Sequence, residues 1–394
     1  MTNDLTQLRS MSIDRLALML KNQNHPDAQH LLQQVEGWQR LRTKVPTWAA
    51  VDELLYPPRL SLEQCSGEVA ARYKAEVVRH LFPSGGVTMA DLTGGLGVDF
   101  SFVAPIFQRA VYVERQEELC RIARHNFPLL GLPAAEVVHA DGVDFLKKMQ
   151  PADLLFLDPA RRDSAGRKTV LITDCEPDIT SMKPLLLSKA RYVVVKLSPM
   201  LDIAASVRAL GCVEQVHVFS TGGECKDLLL VLSREAAERS TAANPTVFVR
   251  EGDVSLRFTA EEEANATVRY ADEMGQFLFE PGAAVLKAGA FKWVAQHYAV
   301  EKLAPSSHLY TSTQEVPGFP GRSFRVLGVY GFNKADIKQL RTITDKANLT
   351  VRNFPASVDA LRKKLRLKEG GNIYIFATTM ASDAHVLVVC EKFF

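Results

Sequence analysis

TMADLTGGLGVDF, residues 88–100, reads as a strand that ends on Asp91, a turn through Thr93, Gly94, Gly95, Leu96 and Gly97, and the opening of a helix. Glycines at such a bend let the chain turn tightly and let a ligand lie against the main chain at the edge of a sheet. A dinucleotide-binding fingerprint would place a third glycine where this chain has Phe100, so that the helix can pack closely on the strand. The spacing argues for a ligand other than NAD.

Working outward, residues 81–234 alternate short apolar runs with helical patterns. The runs are TMADL, AVYVE, EVVHA, DLLFLD, YVVVKL, VEQVHVF and DLLLVL, and the segments between the first six are long enough for crossover helices. Apolar strands joined by helices predict a parallel sheet covered on both faces. Only TGGECK separates the last two runs. Six residues cannot hold a crossover helix, so these two strands must pair antiparallel. The expected fold is α/β, with a seven-stranded Rossmann-like core.

Upstream, residues 1–80 show helical spacing in SIDRLALML and HLLQQVEGWQRL and form a helical N-terminal region. The core is expected over 81–235. After a polar linker, residues 245–322 begin with a hairpin around Glu251-Gly252-Asp253 and continue into a small unit; residues 323–394 read as a second small domain with a strongly cationic helix. Residues 323–394 hold 12 basic and 6 acidic side chains, whereas the whole chain carries a net charge of only +2. One end of the chain is therefore suited to a polyanion. Six scattered cysteines without zinc or redox spacing read as reduced thiols, and no run approaches the roughly 18 apolar residues that span a bilayer. These features predict a cytoplasmic protein that does not enter a membrane.

Asp91-x-x-x-Gly95-x-Gly97 resembles motif I of the class I S-adenosylmethionine-dependent methyltransferases. The resemblance implies that Asp91, Thr93, Gly95 and Gly97 hold the methionine end of S-adenosylmethionine. Glu114 closes the next strand, where a carboxylate can accept both hydrogens of a ribose diol. Asp141, after the third strand, resembles the acid that reads the adenine amino group in that family. The fourth strand delivers Asp158-Pro159-Ala160-Arg161, which resembles motif IV of amino-directed methyltransferases: Asp or Asn, Pro, Pro, aromatic. There the acid and the proline-constrained carbonyls accept hydrogens from a planar amine and aim its lone pair at the methyl group. Ala160 and Arg161 depart from the pattern, and an arginine in place of the aromatic can stack on a base or grip a phosphate.

Glu224 and Lys226, in the turn between the last two strands, are candidate substrate contacts, and Cys225 between them reads as a spectator thiol. Gln64, Ser66, Tyr73 and Lys74, ahead of the first strand, lie where related enzymes cap the pocket, although a plain amphipathic helix accounts for that segment. No constellation of histidines or cysteines suggests a metal. Arg362, Lys363, Lys364, Arg366 and Lys368 form the cationic helix, whose phosphate contacts would weaken steeply with salt. From about Leu60 onward, DLTGGLGVD, DPAR, EPGAAVLKAGAFK and VRNFPASVDALRKKLRL together resemble a bacterial family of methyltransferases with a ferredoxin-like insert and a C-terminal THUMP-like domain. That resemblance implies methylation of RNA, with a base nitrogen of tRNA or rRNA as acceptor. The competing readings are a small-molecule or protein methyltransferase, and an RNA-binding protein with a vestigial core.

Overall fold

The computed structural model describes residues 7–161, 171–238 and 244–393. The chain divides into two compact units, residues 1–214 with 229–243, and residues 215–228 with 244–394. The division runs through the two strands joined by TGGECK, which contribute to both units.

The first unit opens with α1 (Ile13–Asn22) and α2 (Ala28–Lys44), followed by α3 (Glu68–Leu81). Its parallel strands are β1 (Gly86–Asp91), β2 (Phe107–Glu114), β3 (Glu136–His139), β4 (Ala152–Leu157) and β5 (Ala190–Leu197). The crossover helices are α4 (Val98–Val103), α5 (Glu117–Leu129), α6 (Gly142–Lys148), α7 (Ile179–Lys189) and α8 (Ile203–Leu210). The hairpin strands are β6 (Val213–Thr221) and β7 (Glu224–Ser233), turned by Gly222 and Gly223, both at positive φ. The sheet order is β3-β2-β1-β4-β5-β7-β6. β6 and β7 are neighbours, as the short TGGECK connection requires, but β7 lies between β5 and β6 rather than at an edge of the sheet.

Register brings the strand ends into line. Asp91 pairs with Tyr112 and Phe156, Glu114 with His139, and Leu157 with Val195. The carboxyl ends of β1, β2, β4 and β5 therefore share one rim. The N-terminal helices are fixed to this framework: Leu41, Trp48, Tyr56 and Leu62 pack with Leu96 and Val98 of the glycine turn. The Asn126 side chain on α5 bonds both the N–H and the carbonyl of Leu55.

In the second unit, β8 (Thr246–Glu251) and β9 (Val254–Thr259) form the predicted hairpin around Glu251-Gly252-Asp253. β8 pairs in parallel with β6, so these strands extend the first sheet, rather than opening the small unit expected over 245–322. A second sheet has the order β11-β12-β10-β13-β16-β15-β14. Its strands are β10 (Phe277–Pro281), β11 (Glu301–Lys302), β12 (Tyr310–Ser312), β13 (Gly321–Gly331), β14 (Lys346–Arg352), β15 (Lys368–Thr379) and β16 (His385–Lys392). β10 pairs antiparallel with β13 from Phe277↔Arg325 to Pro281↔Gly321, so the segments expected to separate at 322/323 share one sheet. Helices α9 (Ala283–Ala288) and α10 (Phe291–His297) follow β10. α11 (Lys334–Ile343) and α12 (Val358–Leu365) bury Ile337, Leu340, Leu361 and Leu365 against Ile375, Leu387 and Val389.

Candidate active site

Asp91 ends β1 with its side chain buried. Its Oδ1 accepts from the Thr93 N–H at 3.0 Å and lies 3.4 Å from the Thr93 hydroxyl, which itself accepts from the Asp158 N–H at 2.6 Å. One threonine thus ties the end of β1 to the end of β4. Burial pushes the Asp91 carboxyl up to about 8, and the neighbouring carboxylates of Asp99, Asp158 and Glu114 push the same way.

Two glycines of the turn that follows leave no room for a Cβ. Gly97 has φ +85°, and a Cβ there would lie 2.9 Å from the Phe127 ring; at Gly94 it would lie 2.3 Å from the Tyr112 ring. Phe100, in the position a third glycine would occupy, stacks on Phe127 at 4.9 Å between centroids and fills the space between helix and sheet. Glu114 accepts from the N–H groups of Gly95 at 2.9 Å and Gln116 at 2.8 Å. It braces the turn and keeps lone pairs for a further donor. Asp141 caps α6 through bonds from Val143 N (2.9 Å) and Asp144 N (3.1 Å). A Cβ on the adjacent Gly142 would lie 2.1 Å from the Leu92 carbonyl oxygen, so the chain after β3 passes directly against the turn after β1.

Asp158 leaves β4 with its side chain 40% exposed, and its Oδ2 meets Lys196 Nζ at 2.5 Å. Burial of the surrounding site pushes its carboxyl up, and Lys196 opposes that push. Pro159 is buried behind it. The backbone of Arg161 joins a two-residue ladder with Cys175, but its side chain lies outside the described residues, and so does any role for it.

Sequence reasoning missed Lys196 and Asp99 and left Ser66 and Lys74 to an ordinary helix. Lys74 on α3 is fully buried, 3.1 Å from Asp99 Oδ1. It donates to the Ser66 hydroxyl at 3.0 Å, and that hydroxyl donates to Asp99 Oδ2 at 2.8 Å. Burial pushes the Asp99 carboxyl up, yet Lys74 and Lys196 pull harder and hold it below its ordinary value. Behind the open Asp158 carboxylate, the site therefore holds two lysines and a second aspartate of alternating charge. The available signal was a lysine near the carboxyl end of the apolar run YVVVKL, on the same rim as the expected acids.

The remaining candidates lie in the second unit. Glu224 and Lys226 pair with each other, and burial pushes the Cys225 thiol up to about 11, so it is not a thiolate at neutral pH. On and just after α12, Lys363, Lys364, Arg366 and Lys368 are exposed. Arg362 is half-buried with Nη2 3.8 Å from Glu369, and Lys364 Nζ sits 3.7 Å from the centre of the Phe332 ring. Among the described residues no group of three or more His, Cys, Asp or Glu side chains could hold a metal ion, and no helix is long and apolar enough to cross a membrane.

Residues 277–320 match a ferredoxin-like domain family, and residues 321–392 match a family described as THUMP domain-like. The crystal structure of a candidate methyltransferase from Porphyromonas gingivalis W83 is 34% identical in sequence, with a TM-score of 0.85, over 99% of this chain and 97% of that one. Proteins of two Mycobacterium tuberculosis strains, CDC 1551 / Oshkosh and ATCC 25618 / H37Rv, each named an uncharacterized S-adenosylmethionine-dependent methyltransferase, are 25% identical over 343 residues, 86% of this chain and 87% of theirs.

Proposed function

The chain belongs to a family of class I S-adenosylmethionine-dependent methyltransferases with a C-terminal THUMP-like domain, and from that premise we propose that it methylates a base nitrogen of tRNA or rRNA. The residues present fit the cofactor. A turn whose Gly94 and Gly97 leave no room for a Cβ runs beside a buried acid at β1 and a second acid at β2. Asp91, Thr93, Gly95 and Gly97 would take the methionine end, Glu114 the ribose and Asp141 the adenine side. When bound, S-adenosylmethionine supplies a methyl group already activated by a positively charged sulfur.

The observation that carries the acceptor reading is the Thr93 bridge. It holds the Asp158 backbone within one hydroxyl of Asp91, so the acceptor carboxylate and the cofactor acid cannot drift apart. Asp158, paired with Lys196 and partly open to solvent, can as a carboxylate accept an N–H of a planar amine and orient its lone pair. Pro159 fixes the chain that follows. Release of the amine proton is eased because burial raises the proton affinity of Asp158 despite the opposing Lys196. The RNA part of the reading is supported by the THUMP-like domain and by the excess of basic residues over 323–394, with Lys363, Lys364, Arg366 and Lys368 as exposed phosphate contacts and Arg362 as a partly sheltered one.

The test is transfer of labelled methyl from S-adenosylmethionine to total RNA of cells lacking this protein, followed by mass-spectrometric comparison of modified nucleosides. A methylated base that is missing in those cells and restored by the purified protein is expected. Cofactor binding with no RNA product would overturn the RNA reading.

A further inference from the structure

Glu280 lies in β10 with its side chain 5% exposed, and both of its oxygens are occupied by arginines. Arg322, its cross-strand neighbour on β13, places Nε 2.8 Å from Oε2 and contacts the same oxygen through Nη2. Arg352, at the end of β14, places Nη2 3.0 Å and Nε 3.3 Å from Oε1. Each guanidinium therefore presents its Nε–Nη2 edge to Glu280, and neither Nη1 has a hydrogen-bond partner among the described residues. The side chains are 45% and 35% exposed, so the unused edges face water.

From this geometry we propose that Arg322 and Arg352, locked onto the buried Glu280 carboxylate, form a preorganised phosphate clamp for the backbone of the RNA substrate. Three arguments favour an anion there. Two permanently charged groups share one carboxylate, leaving a net positive charge that a second anion relieves. The unused Nη1–Nη2 edge of each guanidinium is a fork that matches a pair of phosphate oxygens. The Arg322 plane is held a second time, because it lies over the Phe324 ring at 5.4 Å and near the Tyr374 ring at 5.9 Å. Ordering two arginine side chains on binding would otherwise weaken association. Because Glu280 and Arg352 belong to the segments that match the ferredoxin-like and THUMP-like families respectively, the clamp needs both segments in one sheet. A simple staple between the strands would use the same bonds to Glu280 but would gain nothing from the outward edges.

The inference rests on the RNA reading, and one experiment separates them. Binding of bulk bacterial tRNA to the full-length protein is measured by fluorescence anisotropy between 50 and 200 mM salt, alongside thermal unfolding. Arg352→Gln should lower the slope of log affinity against log salt by about 0.7–0.9, the value for one lost phosphate contact. Arg322→Lys and Arg352→Lys keep the charge and the bond to Glu280 but lose the fork, and each should weaken tRNA binding about 3- to 10-fold, with the unfolding midpoint held within a few degrees. Glu280→Gln should loosen the fold without lowering the salt slope. Wild-type binding with all four variants unchanged in affinity and slope would overturn the clamp and leave the RNA reading standing. A wild type that binds inorganic phosphate at this site but tRNA independently of it would also overturn the clamp. No tRNA binding even at 50 mM salt would overturn the RNA reading and the clamp with it.

Discussion

If Asp91 holds the cofactor as proposed, affinity for the cofactor should depend on pH in a direction that the burial of Asp91 sets. Its carboxyl is buried and pushed up to about 8, so without ligand it is mostly protonated at neutral pH. The amino-acid end of the cofactor brings an ammonium group, which pairs with the ionised form only. Binding must therefore expel the proton, and between pH 6 and 7.5 the ionised fraction of such a group rises from about 1% to about 24%. After allowing for partial loss of the ligand's own α-amino proton near pH 7.8, affinity should improve roughly 15–25-fold over that interval, or somewhat under 2 kcal/mol. Isothermal titration with S-adenosylhomocysteine, in buffers of different ionisation enthalpy, would read this directly as about 0.8 proton released per ligand at pH 7. The sign can be checked independently in the free protein. A carboxyl whose folded value lies above its unfolded one contributes stability below about pH 4 and loses it progressively up to about pH 8. The thermal shift produced by S-adenosylhomocysteine should accordingly grow with pH across that window. Equal affinity at pH 6 and 7.5, or the same pH dependence in Asp91→Asn, would refute the reasoning.

Lys74→Met strips the fully buried partner from Asp99 and should cost about 3–5 kcal/mol in urea denaturation of the first unit, the usual penalty for an orphaned buried charge. Asp99 is held low in the native protein, so the loss should shrink as pH falls towards 4 and be largely repaired in Lys74→Met/Asp99→Asn; a deficit independent of pH would count against the pair. Lys196→Ala leaves the upward push on Asp158 unopposed, so the acid limb of the pH–rate profile for methyl transfer to RNA should move to higher pH, with cofactor affinity within a few-fold and partial rescue by Lys196→Arg. An unshifted limb would remove Lys196 from the positioning of Asp158. Gly97→Ala forces a left-handed backbone costing about 1–2 kcal/mol and drives a Cβ against Phe127, so S-adenosylhomocysteine affinity should fall at least 10-fold; retained affinity would mean that the turn does not shape the pocket.

The parallel core was legible because a strand buried on both faces must be apolar throughout, and AVYVE, DLLFLD and YVVVKL leave little choice. The β6–β7 hairpin was legible for a covalent reason, since TGGECK is too short for anything else. The partner of the strand that follows residue 245 was not legible. VFVRE alternates equally well in any half-buried strand, and nothing local tells whether it extends one sheet or begins another, as pairing with β6 decides. Within the site, Asp91 and Glu114 were readable from their places at strand ends, and the structure puts both on one rim. Asp141 showed only half of its chemistry, because an Asp before Gly142 at a helix start is also an N-cap, and its Oδ1 is spent there. Lys74 looked like the polar side of an amphipathic helix. Its burial follows from Asp99, twenty-five residues away, and side-chain pairing over such a distance leaves no periodic trace.

Charge balance explains why these acids sit so close together. Asp91, Asp99, Asp158 and Glu114 would make a strongly negative pocket if all were ionised, and such a cluster cannot be buried without compensation. Lys74 and Lys196 neutralise two of them from α3 and β5, through contacts to Asp99 and Asp158. Among the described residues Asp91 forms no ion pair with a lysine or arginine, and its hydrogen-bond donors are the amide and hydroxyl of Thr93. The protein meets the remaining imbalance by keeping a proton on Asp91, and the cofactor ammonium is a cation of the right charge to replace it. Asp99 and Asp158 are compensated by lysines of the protein itself, whereas Asp91 is left for a cation from outside. This division predicts that neutralising Asp91 by Asp91→Asn should stabilise the free protein above pH 7 while weakening cofactor binding, and that Asp99→Asn should destabilise it by stranding Lys74. If both variants shift stability in the same direction, the four acids do not divide their roles in this way.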